Sequence, residues 1–172
     1  MKKSILLVAS CGLAAGCATM GISGGPSAVA NLEPTSGNTA KGTVTFTQHG
    51  DKVRVSAQLT GLKPDGVHAF HVHEKGDCSS GDGMSAGGHF NPAGHPHGPQ
   101  EAPHHAGDMP SLKADGYGNA NATFELSGVS VGSGAADLVG HGLIVHRDPD
   151  DFKTQPTGNA GPRIACAVIR KA

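Results

Sequence analysis

The chain has 172 residues, of which 27 are glycine, 11 are proline and none is tryptophan, and its formal net charge is −1. A chain without a basic surface and with only five Phe and one Tyr is a poor candidate for binding nucleic acid or anionic lipid. No long stretch has apolar residues at helical spacing. Many turn formers between short apolar runs therefore predict an all-β sandwich or barrel.

Residues 1–17 have the composition of an export signal. Two lysines precede an apolar run over 5–9, and small residues then lead to Cys17. The apolar run is too short to span a bilayer as a mature helix. A signal that ends on cysteine resembles a bacterial lipoprotein signal, with Cys17 as the candidate lipidated residue, Cys11 as an earlier candidate and simple cleavage as the alternative. We therefore expect a periplasmic protein, tethered to a membrane if Cys17 carries lipid.

The cysteines of the remaining chain predict a disulfide. If Cys17 begins the mature chain, 11 basic and 14 acidic residues remain, together with two cysteines for the folded domain, Cys78 and Cys166. An exported protein meets an oxidising compartment, which favours a bond between these two residues. The alternative is a pair of free buried thiols.

The rest of the chain predicts a linker and one domain. Residues 18–39 are rich in Gly, Ser, Pro and Ala and predict a flexible linker, which leaves 40–172 as a single domain. Alternating apolar residues predict strands on both sides of a hairpin turn at 49–51, and further strands over 67–73, 119–126, 140–146 and 163–170. Two long loops, at about 74–115 and at 147–162, separate some of these strands. Loops of such length are usually functional.

The strand over 67–73 carries a candidate pair of metal ligands. Because side chains alternate between the faces of a strand, His71 and His73 project from one face, about 7 Å apart along the chain. Phe70 and Val72 point to the other face, toward the predicted core. Two imidazoles at this spacing are able to chelate one metal ion.

More candidate ligands follow in the first long loop, which has no hydrophobic periodicity. Three imidazoles and one carboxylate make a closed shell suited to zinc, and this loop provides them in His89, His97, His105 and Asp108. The alternative is a histidine-rich solvent loop that binds metals loosely. His146 ends an apolar strand, where a hydrogen-bonded histidine without a metal is the alternative to a ligand.

The motifs around these residues resemble those of copper–zinc superoxide dismutases, in the bacterial secreted or lipoprotein-like branch. The resemblance runs from about 41 to 170 and follows the family's order through Phe70–Glu74, Gly76–Cys78, Gly87–Pro92, His97–Pro99, His105–Asp108, Val145–His146, Asp150–Asp151 and Gly158–Cys166. It implies a Greek-key β-barrel or sandwich of about eight antiparallel strands with two long functional loops. It also implies dismutation of superoxide, with protection of the cell envelope as the role.

The resemblance assigns roles to individual residues, with one copper and one zinc per chain. It implies copper ligands at His71, His73, His89 and His146, and zinc ligands at His89, His97, His105 and Asp108. His89 would bridge the two ions and act in catalysis by taking up and donating a proton. Asp150 matches a carboxylate that accepts hydrogen bonds from one histidine of each site. Arg163 matches a catalytic arginine that attracts and orients a small anion beside the copper.

Some features leave alternatives open. The second long loop has 16 residues and Lys153 as its only interior lysine, so Lys75 and Lys153 are weak candidates for steering superoxide. His95 and His104 lie next to predicted ligands and are candidates for accessory metal capture. The oligomeric state is expected to be a homodimer or a monomer. The rival functions are an exported metal carrier without turnover and a structural envelope protein that binds metal incidentally.

Overall fold

The computed structural model describes residues 24–172, so the predicted signal over 1–17 lies outside the described part. Within 24–172, no helix is long and apolar enough to cross a membrane. One turn of 3₁₀ helix occupies Met84–Ala86. The strands are β1 Ser27–Pro34, β2 Lys41–His49, β3 Lys52–Thr60, β4 Val67–His68, β5 Phe70–His73, β6 Leu112–Lys113, β7 Ala120–Ser127, β8 Gly142–His146, β9 Arg163–Val168 and β10 Arg170–Lys171.

The strands form one large antiparallel sheet and one small ladder. The large sheet has the order β5–β8–β9–β1–β2–β3–β7, with β10 also paired to β1, while β4 pairs with β6. The strand β1 lies between β2 and β9, although β9 is more than 120 residues away along the chain. This order confirms the predicted all-β class and agrees with Greek-key connections. The described chain has ten strands rather than about eight because several of them are only two residues long.

The hairpin of β2 and β3 shows how the apolar pattern builds the core. The two strands pair from Lys41 with Thr60 to His49 with Lys52, which leaves a two-residue turn. Gly50 occupies this turn with φ 61°, a left-handed conformation that glycine adopts without steric cost. Val44 and Phe46 are fully buried, and the alternate residues of β3 from Val53 to Leu59 are also buried. The strands predicted from alternating apolar residues on both sides of this turn are therefore confirmed.

The predicted flexible linker over 18–39 is wrong for residues 27–34, which form β1. Ala28, Ala30 and Leu32 are buried in the main core, and the residues between them are more exposed. This is the alternation of a half-buried strand, and the ladders to β2 and β9 satisfy its backbone. The prediction failed because two of the three inward residues are alanines, which give a weak hydrophobic signal. The part of the linker before residue 24 lies outside the described residues.

The predicted strand over 67–73 is interrupted at Ala69. The Ala69 N–H donates to the carbonyl of Asp148, and the Ala69 carbonyl accepts from the N–H of His146, at 2.9 Å in both cases. The backbone of Ala69 therefore bonds to the end of β8 and the start of the second long loop, and β4 and β5 are separate strands. The predicted strand over 163–170 is likewise divided into β9 and β10, and the first long loop contains the short strand β6.

Candidate metal centre

The centre is built on β5 and β8, which are neighbours in the large sheet. The register pairs Phe70 with Val145 and His73 with Gly142. Phe70 and Val72 are fully buried in the core, so His71 and His73 occupy the opposite face, as predicted. The first long loop returns to β5 through two isolated bridges, which join His71 to Asp108 and His73 to His89. Residues far apart in sequence are thereby brought to one face of β5.

Four histidine side chains converge beside β5. One ring nitrogen of each lies within 4.8 Å of those of the others, and the set is His71, His73, His89 and His146. The Nε2 atoms of His73 and His146 are 3.4 Å apart, and the ring centroids of His71 and His89 are 4.0 Å apart. This is the set that the sequence predicts for copper.

Hydrogen bonds on the outer ring nitrogens leave the inner nitrogens free to bind a metal ion. The Nδ1 of His73 donates to the carbonyl of Gly87 at 2.9 Å, and the Nδ1 of His146 donates to that of Gly161 at 3.2 Å. In His71 the arrangement is reversed, because Nε2 bonds to the Asp150 carboxylate at 2.7 Å. Such contacts fix the ring tautomer and orientation of metal-binding histidines.

Two inner nitrogens of this set are buried without a hydrogen-bond partner in the described chain. They are the Nδ1 of His71 and the Nε2 of His89. An unsatisfied polar atom inside a protein costs free energy, and a buried group of this kind requires a partner. Nitrogen ligands suit copper, so these residues fit a copper ion well.

Burial keeps three of these imidazoles neutral. It lowers the pKa of His71 to about 4 and that of His146 to about 3, and neighbouring His and Arg charges also lower the pKa of His146. The pKa of His73 is lowered well below its ordinary value, again mainly by burial. A histidine binds a metal ion in its neutral form, so these side chains are ready to bind at neutral pH.

A second cluster adjoins the first and is centred on the Asp108 carboxylate. Its Oδ1 lies 2.9 Å from the Nδ1 of His89, 3.0 Å from that of His97 and 3.3 Å from that of His105. The Nδ1 of His97 is itself buried and has no hydrogen bond of good geometry. Three imidazole nitrogens around a carboxylate oxygen suit zinc, so the donor set predicted from the sequence fits.

Four ligand atoms that lie within 4.8 Å of one another in the second cluster include one from His71 and none from the predicted His105. They come from His71, His89, His97 and Asp108. Two contacts nevertheless place His105 at this cluster. Its Nδ1 is 3.3 Å from the Nδ1 of His89 and the same distance from Asp108 Oδ1. The Nε2 of His71 is already bonded to Asp150.

Two carboxylates organise the pair of clusters. Asp150 joins them, because its Oδ2 bonds to the Nε2 of His71 at 2.7 Å and its Oδ1 bonds to the Nε2 of His97 at 2.9 Å. Asp108 accepts the backbone N–H groups of Gly98 and His105 through Oδ2. Burial raises the pKa of both carboxyls, but their hydrogen bonds outweigh it and hold both pKa values well below the usual range. Both groups are therefore anions at neutral pH.

The comparison with known proteins agrees with this geometry. The family model of copper/zinc superoxide dismutase (SODC) matches residues 40–169, which is most of the chain.

The chain belongs to the copper/zinc superoxide dismutase family.

Relatives in sequence and in structure support the assignment. The chain is 42% identical over 150 residues to a superoxide dismutase (Cu-Zn) of Paramecium bursaria Chlorella virus 1, covering 83% of this chain and 77% of the relative. A double mutant of a SOD-like protein from Bacillus subtilis has TM-score 0.75 at 31% identity, covering 83% of this chain and 96% of that one. The clock protein EA4 has TM-score 0.77 at 38% identity, covering 85% and 94%.

Arg163 lies at the mouth of the first cluster. A cavity of about 320 Å³ is lined by Arg163 together with His73, His89 and His146. The guanidinium donates through Nη1 to the carbonyl of Gly83 at 2.7 Å and through Nη2 to that of Gly87 at 2.6 Å. Because the Gly87 carbonyl also accepts from His73, one peptide group orients both the arginine and a histidine of the cluster.

The predicted disulfide of Cys78 and Cys166 is present, with the two Cα atoms 5.9 Å apart. Cys166 belongs to β9, three residues after Arg163, and Cys78 belongs to the first long loop. The bond therefore ties the segment before Gly83 to the strand that carries the arginine.

Other histidines and lysines of the chain lie outside the two clusters. The Nδ1 of exposed His95 is 3.3 Å from the carbonyl of His104, and neither residue belongs to a cluster. Lys75 and Lys153 are exposed and do not line the cavity. His68, which is not among the predicted ligands, is buried and its Nδ1 donates to the carbonyl of His146 at 2.9 Å. The only signal for such a role was its place in a strand next to the ligand pair.

Proposed function

We propose that this chain dismutates superoxide at the cluster of His71, His73, His89 and His146, converting two superoxide anions and two protons to dioxygen and hydrogen peroxide. The main support is the pair of adjacent clusters that share His89, with buried ring nitrogens lacking any other partner. Membership in the copper/zinc superoxide dismutase family agrees with this activity. Superoxide decay with the copper- and zinc-loaded protein tests the proposal.

We assign the two metals by the chemistry of the donor sets. The four nitrogens of the first cluster would hold copper, and His89, His97, His105 and Asp108 would hold zinc. Copper supplies one-electron redox chemistry, which zinc does not have. His105 is preferred to His71 in the zinc set because the one ring nitrogen of His71 without a hydrogen bond, Nδ1, is already assigned to copper.

The chain's own residues bind the substrate and move protons. Arg163, at the rim of the cavity, attracts the superoxide anion and orients it toward the histidines. His89 has Nδ1 directed to Asp108, and its Nε2 lies among the nitrogens of the first cluster. We propose that this Nε2 takes up a proton and delivers it to the departing peroxide. Asp150 keeps His71 and His97 in fixed orientations throughout.

Replacing Arg163 tests the steering role. We expect Arg163→Ala to lower kcat/KM for superoxide by about 10-fold or more and to weaken its dependence on salt, because the variant lacks the cation that attracts the substrate. Both metals should remain bound. The control is Arg54→Ala, since Arg54 lies on β3 and contacts Glu125 away from the cavity. An unchanged kcat/KM for Arg163→Ala at low salt would contradict the proposal.

The zinc site should release a proton when it is filled. Burial lowers the pKa of His97, but the adjacent carboxylates of Asp108 and Asp150 outweigh it and raise the pKa to about 9. Because His97 is then protonated at pH 7, zinc binding should displace about one proton from it, and zinc affinity should rise up to about 10-fold per pH unit from pH 7 to 9. Calorimetry in buffers with different protonation enthalpies measures the released proton. The exposed-histidine control His95→Gln should behave like wild type, and binding without proton release at pH 7 would refute this expectation.

We further propose that the protein is exported to the periplasm, belongs to the bacterial secreted branch and protects the cell envelope. The signal-like composition of residues 1–17 supports export, as does the disulfide, because such bonds persist in oxidising compartments. Lipidation of Cys17 would tether the protein to a membrane. Fractionation of cells that make wild type or Cys17→Ala tests this, because only the wild type should sediment with membranes. The solution mass of the mature chain would distinguish a homodimer from a monomer.

A further inference from the structure

We propose that Gln155 is a positioning residue for the zinc site, acting through the backbone of His97. The inference rests on the assignment of His97 to zinc under the proposed function. Gln155 belongs to the second long loop and His97 to the first, and the two residues are 58 positions apart. Their contact therefore connects the loop of the zinc ligands to the loop that carries Asp150.

The side-chain amide of Gln155 pairs with both polar groups of one peptide residue. The backbone N–H of His97 donates to Oε1 of Gln155 at 2.8 Å. In return, Nε2 of Gln155 donates to the backbone carbonyl of His97 at 2.8 Å. Two reciprocal hydrogen bonds fix both the position and the orientation of the backbone, as a neighbouring strand would.

His97 has no other support of this kind. It lies in an irregular segment between Pro96 and Pro99, and no backbone–backbone hydrogen bond within the described residues involves it. The residue is nevertheless 3% exposed, and buried backbone groups require partners. Gln155 is thus the group that satisfies the backbone of His97.

The second long loop contacts His97 at three points, and Gln155 sets the position of its backbone. Asp150 bonds to the ring Nε2 at 2.9 Å. The ring of Phe152 is parallel to that of His97, with an interplanar angle of 1° and centroids 6.4 Å apart. With these contacts in place, the Nδ1 of His97 is held 3.0 Å from Asp108 Oδ1, where the zinc set converges. Without Gln155 all the ligands remain, but the backbone that carries one of them is free to shift.

The test compares Gln155→Met, which keeps the length of the side chain, with Gln155→Glu, which keeps an acceptor but loses the donor. Gln155→Met removes both hydrogen bonds to His97 and also the one from Nε2 to the carbonyl of Lys153. The matched control is Gln58→Met, because Gln58 is exposed on β3, away from the zinc cluster. The readouts are the rate at which the holoprotein loses zinc to a chromogenic chelator and the visible spectrum of the cobalt-substituted zinc site. Far-UV circular dichroism checks that each variant is folded.

We expect Gln155→Met to release zinc about 10-fold faster than wild type, as is typical when a group that supports a metal ligand is lost. Its cobalt spectrum should change, Gln155→Glu should be intermediate, and Gln58→Met should match wild type. A merely structural role would lower the thermal midpoints of the metal-free and holo forms equally and leave the cobalt spectrum unchanged. Equal zinc-release rates and spectra for folded Gln155 variants and wild type would overturn the positioning role. A wild type that binds no zinc would instead overturn the zinc assignment.

Discussion

His146→Ala should abolish dismutation while leaving the zinc site intact. The Nε2 of His146 is 3.4 Å from that of His73 in the first cluster, whereas no atom of His146 belongs to the grouping around Asp108. Removing one of four nitrogens leaves an incomplete set of ligands for copper. We therefore expect the activity to fall by at least about 100-fold. This loss is larger than the usual effect of removing a group that only supports a metal ligand. The measurement is superoxide decay, together with copper and zinc per chain by elemental analysis.

The His146→Ala substitution should affect the copper site and not the zinc site. Zinc content should stay near that of wild type, and copper content should fall. His95→Ala is the matched control, because exposed His95 lies close in sequence to the ligands but outside both clusters. If His146→Ala kept full copper and full activity, the assignment of the first cluster to copper would be wrong.

Removal of the disulfide should cause the largest loss of stability. The bond between Cys78 and Cys166 closes a loop of 88 residues, so its loss frees a long segment in the unfolded chain. We expect the double variant Cys78→Ser, Cys166→Ser to lose about 2–5 kcal/mol of unfolding free energy. Urea denaturation of the metal-free wild type and variant, both without reductant, measures the difference.

The same variant should also affect the catalytic mouth. The first long loop, which contains Cys78, provides the carbonyls of Gly83 and Gly87, which hold the Arg163 guanidinium. Once the loop is untied from β9, these contacts should be less rigid, and kcat/KM should fall even where the variant is fully folded. Ser79→Ala, beside the cysteine on an exposed position, is the control. A double serine variant with wild-type stability and kcat/KM would show that the bond supports neither.

The sequence predicts the framework of the domain where apolar side chains are large and alternate. Val53, Val55 and Leu59 mark β3 without ambiguity, and all of them are buried. The same reasoning does not predict the strand β1, because Ala28 and Ala30 resemble linker residues. Only the pairing of this segment with β2 and β9 identifies it as a strand. The break at Ala69 is equally invisible in sequence, since it depends on hydrogen bonds to residues more than 70 positions away.

The candidate site likewise has some features that the sequence predicts and others that depend on three-dimensional contacts. The spacing of His71 and His73 predicts a shared face from the strand period alone, and motif order extends the prediction to the other ligands. Which nitrogen of each ring is free is not contained in that pattern. It depends on acceptors such as the Gly87 carbonyl, which are backbone groups with no residue signature. The contact of Gln155 with His97 joins two loops and likewise becomes visible only in three dimensions.

The most direct test of the account is superoxide decay catalysed by the purified, metal-reconstituted protein, measured together with bound copper and zinc per chain. The account predicts fast dismutation at about one copper and one zinc per chain, with two distinct donor environments for the two ions. Full loading with both metals and no dismutation would contradict it and would indicate a metal carrier on a superoxide dismutase fold.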